Sequence, residues 1–181
     1  MFQIFTAVAA DLPEIEMLLD AGFGSARRNR SAYRLRDGAV PDLALSFTAR
    51  DGDTVVGSIQ CWPIRLRGTD GRIQPLILLG PVATSAERRG EGIASALIEA
   101  ALVAVDKAGP TPVFLVGDEP FYGRFGFSTQ PAAGWIMPGP VDQARLLVRW
   151  TGPALPRAGW VEGKDGLCRA AYGAAAVPAI S

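Results

Sequence analysis

Histidine is absent from this 181-residue chain. Without an imidazole there is no Ser-His-Asp or Cys-His triad, no H-E-x-x-H metal site and no base that titrates near neutrality. Proton transfer must then use carboxylates, tyrosine, cysteine, lysine or water. Cysteine is scarce as well. Cys61 and Cys168 stand far apart without C-x-x-C spacing, which predicts two ordinary thiols in a reducing compartment and argues against a disulfide framework or a zinc site. There is no net charge of either sign, and the pI is near 6.3, so no global field draws the chain to nucleic acid or to an anionic membrane. No apolar run reaches the length of a membrane span. The opening F-Q-I-F-T-A-V-A-A has no basic residues ahead of it and runs into Asp11 and an amphipathic pattern, so we read it as a first strand of a cytoplasmic protein rather than a signal segment. Internal repeats are absent too.

What is present is concentrated between Leu76 and Leu102. Pro75 to Val82 is almost continuously apolar, as a strand buried on both faces should be. A short basic turn follows, then Ala94, Leu97, Ile98, Ala101, Leu102 and Val105 recur at helical spacing from Ile93 onward. Gly90 and Gly92 lack Cβ atoms, so their N–H groups can approach a bulky anion where the first orphan donors of a helix point outward. Arg88 and Arg89 add charge beside the positive end of the helix. Such a turn suits a pyrophosphate.

Three nucleotide motifs compete for it. A P-loop needs Lys followed by Ser or Thr at the helix start, and neither is there. A dinucleotide fingerprint would use Gly90, Gly92 and Ser95, but Ser stands where Gly or Ala belongs and no acidic residue lies about 20 positions on. The third pattern, R/Q-x-x-G-x-G/A, is satisfied at every position by Arg89-Gly90-Glu91-Gly92-Ile93-Ala94. A second motif follows at a suitable distance. After an apolar run at Val113–Val116, Y-x-x-x-G-F falls on Tyr122 to Phe127.

With these two motifs in register the chain resembles the GNAT superfamily of acyl-CoA-dependent N-acetyltransferases, over roughly residues 1–150 in the order of its elements. The resemblance implies an α/β fold with a mixed, mostly antiparallel sheet, splayed at the cofactor site and flanked by helices. It implies acetyl-CoA as cosubstrate, with no metal, and direct attack by a primary amine, whether a small molecule, an amino-acid derivative or a protein N-terminus. By the same resemblance the backbone of Val82, Ala83 and Thr84 pairs with the pantetheine arm, and Arg88, Arg89, Gly90, Glu91, Gly92, Ile93, Ala94 and Ser95 hold the pyrophosphate. Tyr122 would protonate the leaving thiolate; its alternative is a tyrosine packed at a helix start with its hydroxyl in water. A backbone N–H of Val82–Thr84 would face the thioester oxygen, near a bend at Gly80-Pro81. Some relatives carry a glutamate on the cofactor strand, but Leu76–Ala83 holds no titratable side chain. The base is therefore Asp118, Glu119 or a water chain, unless Asp118 only caps a helix.

Arg27, Arg28, Arg30, Arg34 and Arg36 surround Tyr33. In related proteins such a loop borders the acceptor cleft. The cluster would suit a carboxylate or phosphate on the substrate, or be a solvated basic loop. Two readings from other classes stay open: an acyl-CoA-binding sensor without turnover, and an oxidoreductase using the glycine turn for a nicotinamide cofactor.

The remaining pattern predicts one domain over 1–181. Strands are expected at Phe2–Val8, Leu43–Arg50, Thr54–Leu66, Ile73–Val82 and Val113–Val116, with hairpin turns at Asp51–Asp53 and Gly68–Gly71. Helices are expected from Asp11, as N-cap with Pro13 and Glu14 in the first turn, to Gly22, over Gly92–Lys107 and around Pro120–Phe125, with Phe121 and Phe125 in the core. A strand follows from Phe127. Residues 131–181 read as an irregular, proline-broken part with one clear strand at Ala144–Trp150 and a tail at Gly173–Ser181, kept in the same domain because Trp135, Trp150 and Trp160 need a core. An exposed sheet edge near the C-terminal strand would suit a homodimer.

Overall fold

The computed structural model describes residues 1–166; the expected tail at Gly173–Ser181 and Cys168 lie outside them. In chain order the elements are β1 (Gln3–Thr6), α1 (Leu12–Phe23), α2 (Ser31–Arg34), β2 (Phe47–Asp51), β3 (Thr54–Gly68), β4 (Ile73–Thr84), α3 (Ile93–Ala108), β5 (Val113–Val116), α4 (Glu119–Tyr122), β6 (Gly134–Ile136), β7 (Leu146–Arg149) and β8 (Ala158–Gly163). The strand order is β1-β2-β3-β4-β5-β7, with β8 beside the second half of β3 and β6 beside β8. Pairings β1–β2, β2–β3, β3–β8 and β5–β7 are antiparallel, whereas β4–β5 and β6–β8 are parallel. The result is an open, mixed and mostly antiparallel sheet flanked by helices.

The chain forms two compact units. The first comprises Met1–Arg28, Pro41–Trp62 and Leu79–Pro110. Here β2 and β3 form the hairpin expected from Asp51-Gly52-Asp53, and α1 lays Ile15 and Leu19 against Ala83 of β4. On α3 the stripe Ile93, Leu97, Ile98, Ala101, Leu102 and Val105 is buried. A Cβ at Gly57 of β3 would stand 2.5 Å from Ile93 Cγ2 and 3.1 Å from Leu97 Cδ1, so this glycine lets the helix approach the strand closely.

Among the described residues the second unit comprises Asn29–Val40, Pro63–Leu78 and residues 111–166. Its core gathers Phe114 of β5, Leu146, Leu147 and Val148 of β7, and Trp135 of β6, whose indole donates to the Pro156 carbonyl at 2.9 Å. Glu162 of β8 is buried and accepts from Arg65 and Arg67 of β3 at 2.9 and 2.6 Å, so its burial is matched by two charged donors.

Several expectations need correction. Asp11 does not cap α1 with its side chain; it is buried, accepts the Val8 N–H at 2.9 Å and pairs with Arg50 at 2.6 Å. Leu43–Leu45 is a 3₁₀ turn rather than strand, because the Asp42 carboxylate accepts the Ala44 N–H at 3.1 Å. No strand starts at Phe127, where only Ser128 bridges to Val148. Of the three tryptophans Trp135 is in the core; Trp160 lies under the Arg67 guanidinium and Trp150 donates to the Pro153 carbonyl at the surface. Two strands, β6 and β8, were not anticipated.

Candidate active site

The first unit presents the strand-turn-helix segment. Strand β4 runs through Gly80-Pro81, a cis peptide, to Thr84. It pairs with β5 at Ile77 and Leu78. Beyond Leu78 that edge of β4 has no strand partner among the described residues. Ala83 is buried against α1, while Val82 and Thr84 are half-buried. The hydroxyls of Thr84 and of Ser85 are buried without a hydrogen-bond partner.

After a 3₁₀ turn at Ala86–Arg88 the backbone takes positive φ at Gly90, 87°, and at Gly92, 80°. Only glycine enters this region routinely, so the two positions set the shape of the turn. Gly92 is the N-cap of α3, and the first helical bond runs from the Ala96 N–H to its carbonyl at 3.0 Å. The backbone N–H groups of Gly90, Glu91, Gly92, Ile93 and Ala94 therefore have no acceptor among the described residues. Ser95 is half-buried in the same first turn.

The two arginines differ. Arg88 donates to both carboxylate oxygens of Glu91 at 2.6 and 2.8 Å, and to Asp51 at 2.6 Å. Its guanidinium holds the Glu91 and Asp51 carboxyls below the usual carboxylate range. Arg89 is exposed and has no carboxylate partner among the described residues. A cradle of N–H donors, a positive helix end and an unneutralised guanidinium fit a pyrophosphate.

The second unit carries Tyr122 and the carboxylates. The backbone N–H groups of Phe121 and Tyr122 donate to the Asp118 carbonyl at 3.0 Å, which winds the chain into α4. Tyr122 is half-buried, with edge contacts to Phe121 at 4.9 Å and Phe127 at 6.0 Å between ring centroids. Burial first, and the Asp118 charge second, push its phenol above its ordinary pKa, against a smaller opposing pull from Arg145. The phenol stays protonated and able to donate. The Asp118 side chain makes no cap and pairs with Arg145 at 3.1 Å. Glu119 accepts the Thr129 N–H at 3.3 Å. Phe121 and Phe125 are not core residues: Phe121 is exposed, Phe125 half-buried, and Arg124 lies over both rings.

The arginine cluster is divided. Arg27 is buried and held by Glu16 at 2.5 Å and Asp20 at 2.8 Å on α1, and Arg28 meets the same acids. Those two charges are neutralised where they stand. Arg34 donates to the Pro138 carbonyl at 2.7 Å, and Arg36 lies 4.2 Å from the Tyr33 ring. The segment forms a 3₁₀ turn at Ser25–Asn29 and α2, not an open loop. Sequence reasoning missed Ser85, which follows V-A-T directly and is the next hydroxyl before the turn. It also missed Asp51 and Arg145, whose partners are too distant in sequence to leave a local signal. Among the described residues no group of three or more His, Cys, Asp or Glu could hold a metal ion, and no helix is long and apolar enough to cross a membrane.

An open mixed sheet whose fourth strand feeds a glycine turn and a long helix defines the acetyltransferase class. Residues 3–130 match the acetyltransferase (GNAT) domain, and the chain belongs to that family. It is 29% identical over 120 residues to the uncharacterized N-acetyltransferase YhbS of Escherichia coli strain K12, spanning 66% of this chain and 70% of that protein. The crystal structure of YhbS in complex with CoA shares the fold, with a TM-score of 0.72 and 24% identity over 90% of this chain and 89% of that one. A GNAT family acetyltransferase from Brucella melitensis, in complex with acetyl-CoA, gives a TM-score of 0.67 and 26% identity over 90% and 95% of the two chains.

Proposed function

We propose that this protein transfers an acetyl group from acetyl-CoA to a primary amine by direct attack, with a small molecule, an amino-acid derivative or a protein N-terminus as acceptor. The observation that carries the reading is the turn itself, where the N–H groups of Gly90 to Ala94 have no acceptor among the described residues and Arg89 has no carboxylate partner there. In this reading those donors and Arg89 bind the pyrophosphate, helped by Ser95, while Arg88, tied to Glu91 and Asp51, stiffens the turn. The β4 edge at Val82, Ala83 and Thr84, without a strand partner on the β5 side among the described residues, receives the pantetheine amides, and the Thr84 and Ser85 hydroxyls supply two further donors. Acetyl-CoA supplies a thioester-activated acetyl group. Tyr122 gives its proton to the departing sulfur; the upward shift of its pKa means the phenol is protonated at neutral pH, as the role requires. A backbone N–H of the Val82–Thr84 stretch stabilises the charge on the acyl oxygen. Asp118 or Glu119 takes the ammonium proton before attack, directly or through water.

The test is thiol release from acetyl-CoA with and without pools of amines, amino acids and peptides. Amine-dependent release is expected; release no faster than buffer with every pool would remove catalysis and leave a binding module. Calorimetry of Arg89→Ala should show acetyl-CoA binding weakened by about 1–3 kcal/mol. An unchanged affinity would move the phosphate elsewhere.

A further inference from the structure

Gly117 is the residue between β5 and Asp118, and it lies where the Tyr122 ring needs room. A Cβ at position 117 would run into Tyr122 Cε2, and would stand 2.7 Å from Tyr122 Cδ2 and 2.9 Å from Leu115 Cδ1. Cβ atoms do not approach other heavy atoms that closely, so any side chain here displaces the ring or the strand. The strand is not free to yield: the Gly117 N–H donates to the Arg145 carbonyl at 2.9 Å, continuing the β5–β7 ladder. Nor is the ring free on its other sides. Phe121 and Phe127 meet it edge-on, and the Tyr122 backbone N–H donates to the Asp118 carbonyl at 3.0 Å. The backbone at 117 does not have a positive φ, so conformation does not demand glycine there. The space occupied by the Tyr122 ring does.

We infer that Gly117 is a positioning residue for acetyl transfer, setting by its missing side chain where the Tyr122 hydroxyl stands. This rests on the reading of Tyr122 as proton donor. The first experiment needs no cosubstrate: spectrophotometric ionisation of the tyrosines in Gly117→Ala, with the Gly117→Ala/Tyr122→Phe protein subtracted to isolate the Tyr122 phenol. A ring pushed toward water loses part of the burial that raises its pKa, so the midpoint should fall relative to the parent, measured against Tyr122→Phe. In kinetics, Gly117→Ala should lose roughly tenfold or more in kcat with the KM for acetyl-CoA held within about twofold. In the Tyr122→Phe background the same change should cost less than about twofold. An unmoved midpoint with kcat retained would overturn the inference, as would an equal loss in both backgrounds. If Tyr122→Phe alone keeps full kcat, the proton-donor reading fails and the inference falls with it, whatever the midpoint does. Should Gly117→Ala not fold, Gly117→Ala/Tyr122→Ala decides: recovery of folding supports the steric argument, and continued failure overturns it.

Discussion

Arg88 and Arg89 are adjacent and chemically identical, yet the fold employs them differently. The R-x-x-G-x-A spacing marks Arg89 as the start of the motif and is silent on Arg88, whose partner Asp51 arrives from the β2–β3 hairpin. Arg27 teaches the same lesson: beside Tyr33 it reads either as a substrate-facing cation or as part of a solvated basic loop, and only the packing of Ser25–Asn29 against α1 shows it buried between Glu16 and Asp20. From the sequence Cys61 is an ordinary thiol; its burial on β3, with Asp42 adding a smaller push, raises its pKa to about 12. The neutral thiol is favoured by folding, so the unfolded chain ionises first as pH rises. This contribution is fully present below the unfolded pKa near 9 and is lost as pH climbs toward 12. Between those limits stability should fall by about 1.4 kcal/mol per pH unit on account of this group. Urea denaturation of the protein and of Cys61→Ala, each at pH 8 and pH 10.5, checks it: the variant should show the shallower decline.

At the scale of elements, the long periodic segments were legible. The α3 stripe came out as expected because burial of one face is a local pattern, and β5 was placed at Val113–Val116 because a short apolar run bounded by Pro112 and Gly117 has little other use. Short and polar-capped pieces were not. Leu43–Leu45 looks like strand until Asp42 turns it, and β6 and β8 hide among prolines and glycines because their support is long-range: Glu162 finds Arg67 95 residues away. The turn that precedes α3 depends on how that helix is seated, and Gly57 controls the seating. Gly57→Ala should cost about 1–3 kcal/mol by overpacking against Ile93 and Leu97. It should also weaken acetyl-CoA binding, because the N-terminus of α3 is lifted. Thermal melting with calorimetry on the same sample tests both; lost stability with unchanged affinity would separate the helix seat from the phosphate turn.

For the molecule as a whole, zero net charge leaves binding to local features, so a ligand of the turn should register as added stability of the native state. Acetyl-CoA at a free concentration 100 times its Kd should add about 2.7 kcal/mol. For a chain of this size that raises Tm by roughly 5–10 °C, and NADH should not. The opposite pattern in a thermal scan would return the glycine turn to the dinucleotide reading. By itself the sequence determined the family, the strand-turn-helix segment and the position of Tyr122, since each is written in contiguous residues whose backbone needs, periodicity or spacing are local. Tertiary structure alone decided which charges are neutralised, that among the described residues no strand pairs with β4 beyond Leu78 on the β5 side, and that Gly117 leaves room for the Tyr122 ring. Those outcomes depend on groups brought together from distant parts of the chain, and no local pattern records which of them will meet.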